Sequence, residues 1–339
     1  MRFGLIGYGA WGQHHAAALD QTPGVVLSAI ACASEASAAA ARAAFPEAAV
    51  YRDYRDLLRI PELDAVDVVV PNHLHADIGV QALAAGKHVL LEKPMATTIE
   101  DCDRLIAAAA AHDRILTIGH ELRLSTQWGT VKALIDAGAV GEPMYALVSL
   151  FRFPYRPGKG GWRYARDRVG SWILEEPVHF FDFLMWYFER AGDPVSVLAV
   201  GNGKDGEPGL WDNFSAVVRF PGSLYAVITQ TLGGFEHHQN MEIVGREGAI
   251  RAWWSGSMDR TLHPVFELRV QRRGQRDAEI LSLGPSGELF ELADEIARVA
   301  KAFRDGRALV TGIEARKRIV MCVEAERSAR EGREVALTF

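Results

Sequence analysis

Glu175, His179 and Asp182 recur at spacings of four and three in the stretch Gly170 to Tyr187 (GSWILEEPVHFFDFLMWY). On a helix these side chains share one face. An imidazole titrates near neutral pH and is the natural general base, and a carboxylate one turn away orients the ring or binds a substrate hydroxyl. A core histidine beside helix caps would leave the same pattern. Glu176 is the neighbouring acid and shares the candidacy. Lys93 is the other reactive candidate. It follows the apolar run His88 to Leu91 in Glu92-Lys93-Pro94, where Pro94 restricts its backbone. A lysine at a strand end can hold an oxygen that gains negative charge; a surface lysine is the alternative.

These groups need a scaffold, and the opening residues MRFGLIGYGAWG indicate which one. An apolar strand, Arg2 to Ile6, runs into Gly7, Gly9 and Gly12 in G-x-G-x-x-G spacing, and an Ala-rich helix starts near Ala10. Gly7 allows the tight turn, Gly9 leaves room for a pyrophosphate, and Gly12 lets helix and strand pack closely. The helix start, with Ala10 and Trp11, points its amides at the phosphates. A second strand, Val25 to Ala33, ends near the adenosine ribose. Ser34 and Glu35 follow; Ser34 can bond a hydroxyl or a phosphate, and Glu35 repels a 2′-phosphate, which favours NAD over NADP. Capping of the helix Ala36 to Phe45 explains Ser34 equally well.

Further strands are expected near Ala49, at Ala65 to Val70, at His88 to Leu91 and at Ile115 to Gly119, alternating with helices. That alternation predicts a parallel sheet with right-handed crossovers. Ligands bind beyond the carboxyl ends of such strands, so Pro71, Asn72 and His75 after one strand and Glu92 and Lys93 after the next are cofactor candidates. His73-x-His75 has no third ligand nearby, and no metal site is expected.

The second half changes pattern. A helix from Ser125 to Ala137 precedes alternating strands at Met144 to Phe153, Asn213 to Phe220, Leu224 to Thr231, Met241 to Val244 and Ile250 to Trp253, as in a one-sided antiparallel sheet. Arg152 to Arg168 (RFPYRPGKGGWRYARDR) is basic and aromatic. Aromatic faces and arginine donors suit sugars, so Tyr155, Trp162 and Arg163 are substrate candidates, a subunit contact or solvated loop being the alternative. Arg123 is another, with a buried ion pair as its alternative, and in the His237-His238 pair, placed in a hinge (GGFEHHQNME), His238 is a further substrate candidate, with a surface pair as the alternative. Two amphipathic helices, Glu288 to Arg304 and Gly312 to Arg330, support the fold.

The chain has 339 residues, 49% hydrophobic and 24% charged, with a net charge of -6. That size suits two domains, and the charge gives no reason to expect nucleic acid. No apolar run is long enough for a membrane span. The start runs straight into a strand, so a cytoplasmic setting is expected. Cys32, Cys102 and Cys322 are scattered in apolar settings and read as buried thiols.

The combination of GLIGYGAWG, PNHLHAD, AGKHVLLEKP, HELRL, EEPVHFFD and TGIEARKRIVMCVEAERSAREGREV resembles the glucose–fructose oxidoreductase / inositol dehydrogenase / MocA-like (Gfo/Idh/MocA) family along almost the whole chain. The resemblance implies an N-terminal Rossmann domain, here 1–121, and a C-terminal α/β domain, here 122–339, with a large open, mostly antiparallel sheet. It implies an active site between the domains, with a Lys-Asp-His catalytic set onto which Lys93, Glu175 and His179 map. It also implies a homodimer or homotetramer formed through the sheet. Two departures stand out: Glu175 replaces the usual Asp, and Pro177 the usual Gly. The extra methylene displaces the carboxylate by over ~1 Å. The expected function is an NAD(P)-dependent dehydrogenase of a sugar, cyclitol or related polyol. The alternatives are an enzyme whose tightly bound NAD is oxidised and reduced within one cycle for epimerisation, elimination or glycoside cleavage, and a non-catalytic sensor.

Overall fold

A computed structural model describes residues 1–203, 207 and 209–339. The chain falls into two units, Met1–His120 with Leu292–Arg316, and Glu121–Glu291 with Lys317–Phe339.

The first unit is α/β. Its strands are β1 (Arg2–Ile6), β2 (Val26–Ala31), β3 (Ala49–Tyr51), β4 (Ala65–Val68), β5 (His88–Glu92) and β6 (Leu116–Gly119). They pair in parallel in the order β3-β2-β1-β4-β5-β6. This is the doubly wound nucleotide-binding order, with its switch point between β1 and β4. Helices α1 (Ala10–Gln21), α2 (Glu35–Ala44), α3 (Tyr54–Leu58), α4 (His75–Ala84) and α5 (Ile99–Ala111) make the connections. β4 is wholly buried, as a central parallel strand covered on both faces must be.

The second unit opens with α6 (Trp128–Asp136). Strand β7 (Pro143–Arg152) and the short helices α7 (Arg166–Val169) and α8 (Trp172–Glu175) follow, then α9 (Pro177–Tyr187). Strands β8 (Ser196–Asn202), β9 (Asn213–Arg219), β10 (Tyr225–Thr231), β11 (His237–Gly245), β12 (Gly248–Gly256), β13 (Val265–Arg272) and β14 (Glu279–Ile280) come next. Helices α10 (Glu288–Arg304) and α11 (Gly312–Glu331) and strand β15 (Val335–Ala336) complete the chain. The nine strands form one open sheet, β14-β13-β12-β11-β7-β10-β9-β8-β15, antiparallel except at β7–β10. Its inner face buries Ala146, Val148, Leu150, Ala226 and Ile228, and α9 packs on β10 and against α6.

The stretch Leu292–Arg316, which the sequence division at 121/122 assigns to the second domain, packs with the first unit. Leu292, Ile296, Val299, Ala300 and Phe303 repeat at helical spacing and enter the core of Phe3, Leu5, Leu19 and Ile30. The ring of Phe303 stacks on Phe3 at 6.2 Å. Beyond the helix, Thr117 of β6 receives the amides of Leu309 (3.1 Å) and Val310 (3.0 Å). The strand expected at Met241 to Val244 starts earlier, at His237, so His237 and His238 lie in a strand rather than a hinge.

At the start of α10, Glu291 Oε1 accepts from the amide of Gly287 (3.0 Å) and the hydroxyl of Ser286 (3.1 Å). Burial pushes its pKa up to about 7, against the hydrogen bonds that favour the ion. A carboxyl group raised on folding costs nothing while it is protonated in both states. Stability falls as pH rises from the unfolded value near ~4.3 to about 7, then stays level. The Glu291→Gln variant should therefore gain on the native protein across that window, by on the order of 3 kcal/mol at its top. Urea unfolding between about pH 4.5 and 8 checks this; a pH-independent difference would show Glu291 to titrate normally.

Candidate active site

In the first unit the glycine loop separates two roles. Gly7 has φ 107°, and a Cβ there would lie 2.0 Å from the carbonyl oxygen of Val69. A Cβ on Gly12 would lie 2.0 Å from the carbonyl oxygen of Gly7. Both positions exclude side chains because backbone meets backbone. Around a Cβ on Gly9 nothing stands within 4 Å. Gly9 is also the N-cap of α1 and offers no side chain to the helix amides. Its openness and the uncapped first turn fit a pyrophosphate lying against Gly9, Ala10 and Trp11.

Ser34 is the N-cap of α2 and forms a reciprocal capping box with Ser37. Glu35 pairs with Arg42 (2.9 Å) and with Arg52 (2.9 Å). Arg52 also donates to the carbonyls of Cys32 and Ala33, 3.1 Å each, so it braces the end of β2.

Beyond β4, Pro71 leads into a 3-10 turn, Asn72–Leu74, in which Asn72 is buried. His75 is buried at the start of α4. One ring nitrogen lies 2.6 Å from the Pro94 carbonyl and the other 2.8 Å from the Val70 carbonyl. The His75 ring ties the loop after β4 to the loop after β5, and its place against the cofactor is a proposal. Glu92 is likewise turned inward. Its carboxylate accepts from the indole of Trp11 (2.9 Å) and the amide of Lys93 (3.1 Å). Lys93 follows, half-buried, and its bond to Pro94 is cis.

In the second unit the stretch Gly170 to Tyr187 is two helices, not one. Glu175 ends α8, Glu176 breaks the path with φ -127° and ψ -49°, and Pro177 takes the first position of α9. Proline suits that position, since its missing N–H has no partner there. Glu175 and His179 therefore do not share a helix face. His179 and Asp182, both on α9, are buried.

Asp182 receives Arg123 Nε at 2.7 Å and Arg318 Nε at 2.8 Å. Arg123 thus belongs to a buried ion cluster, its fork facing the Asp182 carboxylate. His179 Nε2 lies 4.0 Å from Glu121 Oε1, and both are buried. Glu175 pairs with Arg163 Nε, whose guanidinium lies 4.5 Å from the Trp162 ring centroid. Glu176 pairs with Arg152 (3.0 Å), which also reaches Asp259 (3.2 Å).

Two substrate candidates from the aromatic stretch are core residues. Tyr155 and Trp162 pack with Val169, Trp172, Leu210 and Leu232, and the Tyr155 hydroxyl donates to Gln230 (3.0 Å). Arg163 remains partly exposed. His238 is corrected too. Strand alternation turns His237 to the inner face and His238 to the outer one, opposite Phe151 and near Trp253.

Glu121 beside His179 was missed, although it stands in the quoted HELRL. His15 and Asp67 were missed as well. The signal for that pair was a lone acid inside an apolar strand, AVDVVV. Among the described residues no group of three or more His, Cys, Asp or Glu is arranged to hold a metal, and no helix is long and apolar enough to cross a membrane.

Residues 1–120 match the Gfo/Idh/MocA family described as an oxidoreductase family with an NAD-binding Rossmann fold. Residues 128–251 match the Gfo/Idh/MocA C-terminal domain. Over 253 residues the chain is 30% identical to inositol 2-dehydrogenase of Acidothermus cellulolyticus, covering 74% of this chain and 72% of that one. The chain belongs to the Gfo/Idh/MocA family. As a member it is an NAD(P)-dependent oxidoreductase with a Rossmann domain and a largely antiparallel second sheet. It is also 31% identical over 253 residues to 1,5-anhydro-D-fructose reductase of Ensifer adhaerens, covering 74% of each chain. A levoglucosan dehydrogenase solved with NADH and levoglucosan shares the fold, with a TM-score of 0.86 at 22% identity over 100% of this chain and 99% of that one.

The glycine geometry gives a direct test. Gly9→Ala should leave the melting temperature nearly unchanged while weakening NADH binding at least ~10-fold, because the added methyl meets no protein atom and fills the space proposed for the pyrophosphate. Gly12→Ala should lower the melting temperature sharply, because its methyl meets the Gly7 carbonyl. Thermal melts and NADH fluorescence titrations distinguish the two; equal effects would contradict the division of roles.

Proposed function

We propose that the protein interconverts a secondary alcohol and ketone of a sugar, cyclitol or related polyol, with His179 as general base and Lys93 as the donor to the reacting oxygen. The observation that carries this reading is His179, a buried imidazole with the Glu121 carboxylate 4.0 Å away, in a chain whose glycine loop leaves an open cradle for a dinucleotide. Bound NAD supplies the acceptor for the hydrogen taken from carbon. His179 takes the hydroxyl proton, and Glu121 stabilises the imidazolium that results. The Lys93 ammonium holds the reacting oxygen in line and stabilises its developing charge. Glu175, oriented by Arg163, accepts from a neighbouring hydroxyl, and Glu176 holds Arg152 beside it. The names of the relatives, an inositol dehydrogenase, an anhydrofructose reductase and a levoglucosan dehydrogenase, support a polyol substrate.

NAD is the proposed cofactor, because the Glu35 carboxylate, which follows the N-cap of α2 and pairs with Arg42 and Arg52, repels a 2′-phosphate. The three buried thiols suit a cytoplasmic setting. The outer face of the second sheet carries Tyr145, Tyr225, Leu147, Phe151 and Leu198, of which Phe151, Tyr225 and Leu198 are exposed among the described residues, and we assign it to a homodimer or homotetramer contact. A monomer by light scattering at micromolar concentration would refute that assignment.

Lys93→Ala and His179→Ala should each keep NADH binding and lose roughly 10²–10⁴-fold in kcat. The assay follows NADH absorbance with myo-inositol, levoglucosan, other cyclitols, aldoses and their keto forms. Near-normal turnover by either variant would remove that residue from the mechanism. Glu35→Gln should raise kcat/KM with NADPH relative to NADH by about 10-fold; an unchanged ratio would place cofactor choice elsewhere.

A further inference from the structure

In the first unit a histidine that the mechanism does not use lies between two carboxylates. His15, on the inward face of α1, is fully buried. Its Nδ1 is hydrogen-bonded to Asp67 Oδ2 at 2.7 Å, and its Nε2 is 3.0 Å from Glu92 Oε1, an ion-pair contact without hydrogen-bond geometry. Asp67 lies in β4 and Glu92 ends β5, so one ring joins a helix to two neighbouring strands. The indole of Trp11, one turn earlier on α1, donates to the same Glu92 Oε1 at 2.9 Å and packs edge-on against the His15 ring at 5.1 Å. The other oxygen, Glu92 Oε2, accepts the backbone amide of Lys93 at 3.1 Å.

We propose that His15, as an imidazolium between Asp67 and Glu92, is a positioning residue for Lys93: it fixes the carboxylate that holds the lysine's own amide, and so ties the strand end bearing Lys93 to the helix that begins at the glycine loop. This rests on the reading of Lys93 given above.

The charges agree with the geometry. Burial alone disfavours the imidazolium, but the Asp67 carboxylate and its hydrogen bond, joined by the Glu92 charge, raise the His15 pKa well above the ordinary value. Glu92 is held low, because the His15 and Lys93 charges and the Trp11 donor outweigh its burial, whereas burial pushes Asp67 up despite its bond to His15. The titratable groups facing His15 from the packed elements are Asp67 on β4 and Glu92 on β5, and Lys93 lies just beyond Glu92. Two carboxyl groups and one imidazole are buried together inside the unit. Such a cluster stabilises less than apolar side chains of the same volume. Its worth therefore lies in the position it enforces. Asp67 Oδ1 accepts no hydrogen bond among the described residues, so Asp67 serves His15 alone within the cluster.

The test compares native enzyme with His15→Gln, Lys93→Ala and the double variant His15→Gln/Asp67→Asn. The double variant replaces both ions of that link with amides of similar shape, and it covers the case in which the single change fails to fold. We expect kcat to fall ~10- to 100-fold in the His15 variants, with KM for the polyol and Kd for NADH within about 3-fold, since a displacement near 1 Å at the reacting group costs about that much. A merely structural role would lower the melting temperature and leave kcat per folded enzyme unchanged, and that result overturns the proposal. A readout independent of turnover is ¹⁵N NMR of histidine-labelled native protein. Both His15 nitrogens should remain protonated at about pH 8, where a free imidazole is neutral; a neutral ring there also overturns it. If Lys93→Ala turns over normally, the reading of Lys93 fails and takes the positioning role with it. If Lys93→Ala is inactive and the His15 variants are not impaired, only the positioning role fails.

Discussion

Backbone against backbone, with no room for a single carbon between, is the contact on which the first unit depends. Gly7 meets the end of β4 and Gly12 meets Gly7. These approaches set where α1 begins and how it lies on the sheet. The start of the helix decides where its uncapped amides point. One turn on, the same placement sets Trp11 and His15 against Glu92. Cofactor cradle and lysine loop are thus built from one packing decision, and the glycine motif has a reach well beyond the phosphates it is usually read for.

Each unit also holds a buried cluster of three ionisable groups. In the first, the His15 ring lies between two carboxyl groups, Asp67 and Glu92. In the second, an anion lies between two cations, Arg123 and Arg318 around Asp182. Both clusters join elements far apart in sequence, and both sit near a proposed reactive side chain: Lys93 follows Glu92, and His179 lies one turn before Asp182 on α9. Buried charge is a costly way to hold a protein together, but it fixes orientation more tightly than apolar contact, which is non-directional.

The parallel pairing of the first sheet, the glycine loop and the lysine at a strand end were legible because each rests on local pattern: strand, glycine spacing, helix. The stretch around His179 was legible as helical but not in its shape. Spacings of four and three suggested one helix, whereas Pro177 opens a new helix after Glu175, and the shared face disappears. Arg123, Tyr155, Trp162 and His238 have the chemistry of ligand-binding residues, yet burial, an ion pair or strand parity decides where each one lies. Partners such as Glu121 for His179 and Asp67 for His15 depend on contacts 58 and 52 residues apart (179 − 121, 67 − 15), which no local pattern encodes.

The last helix but one carries a consequence for synthesis. Phe303 and its neighbours on α10 complete a core whose other members lie among the first 120 residues. A ribosome making this chain releases the whole parallel sheet long before the helix that covers one side of it. At ordinary rates of chain growth the interval is roughly ten to forty seconds. During that time Phe3, Leu19 and Ile30 lack their final partners, so the nascent Rossmann half is an unfinished surface that the rest of the message must close.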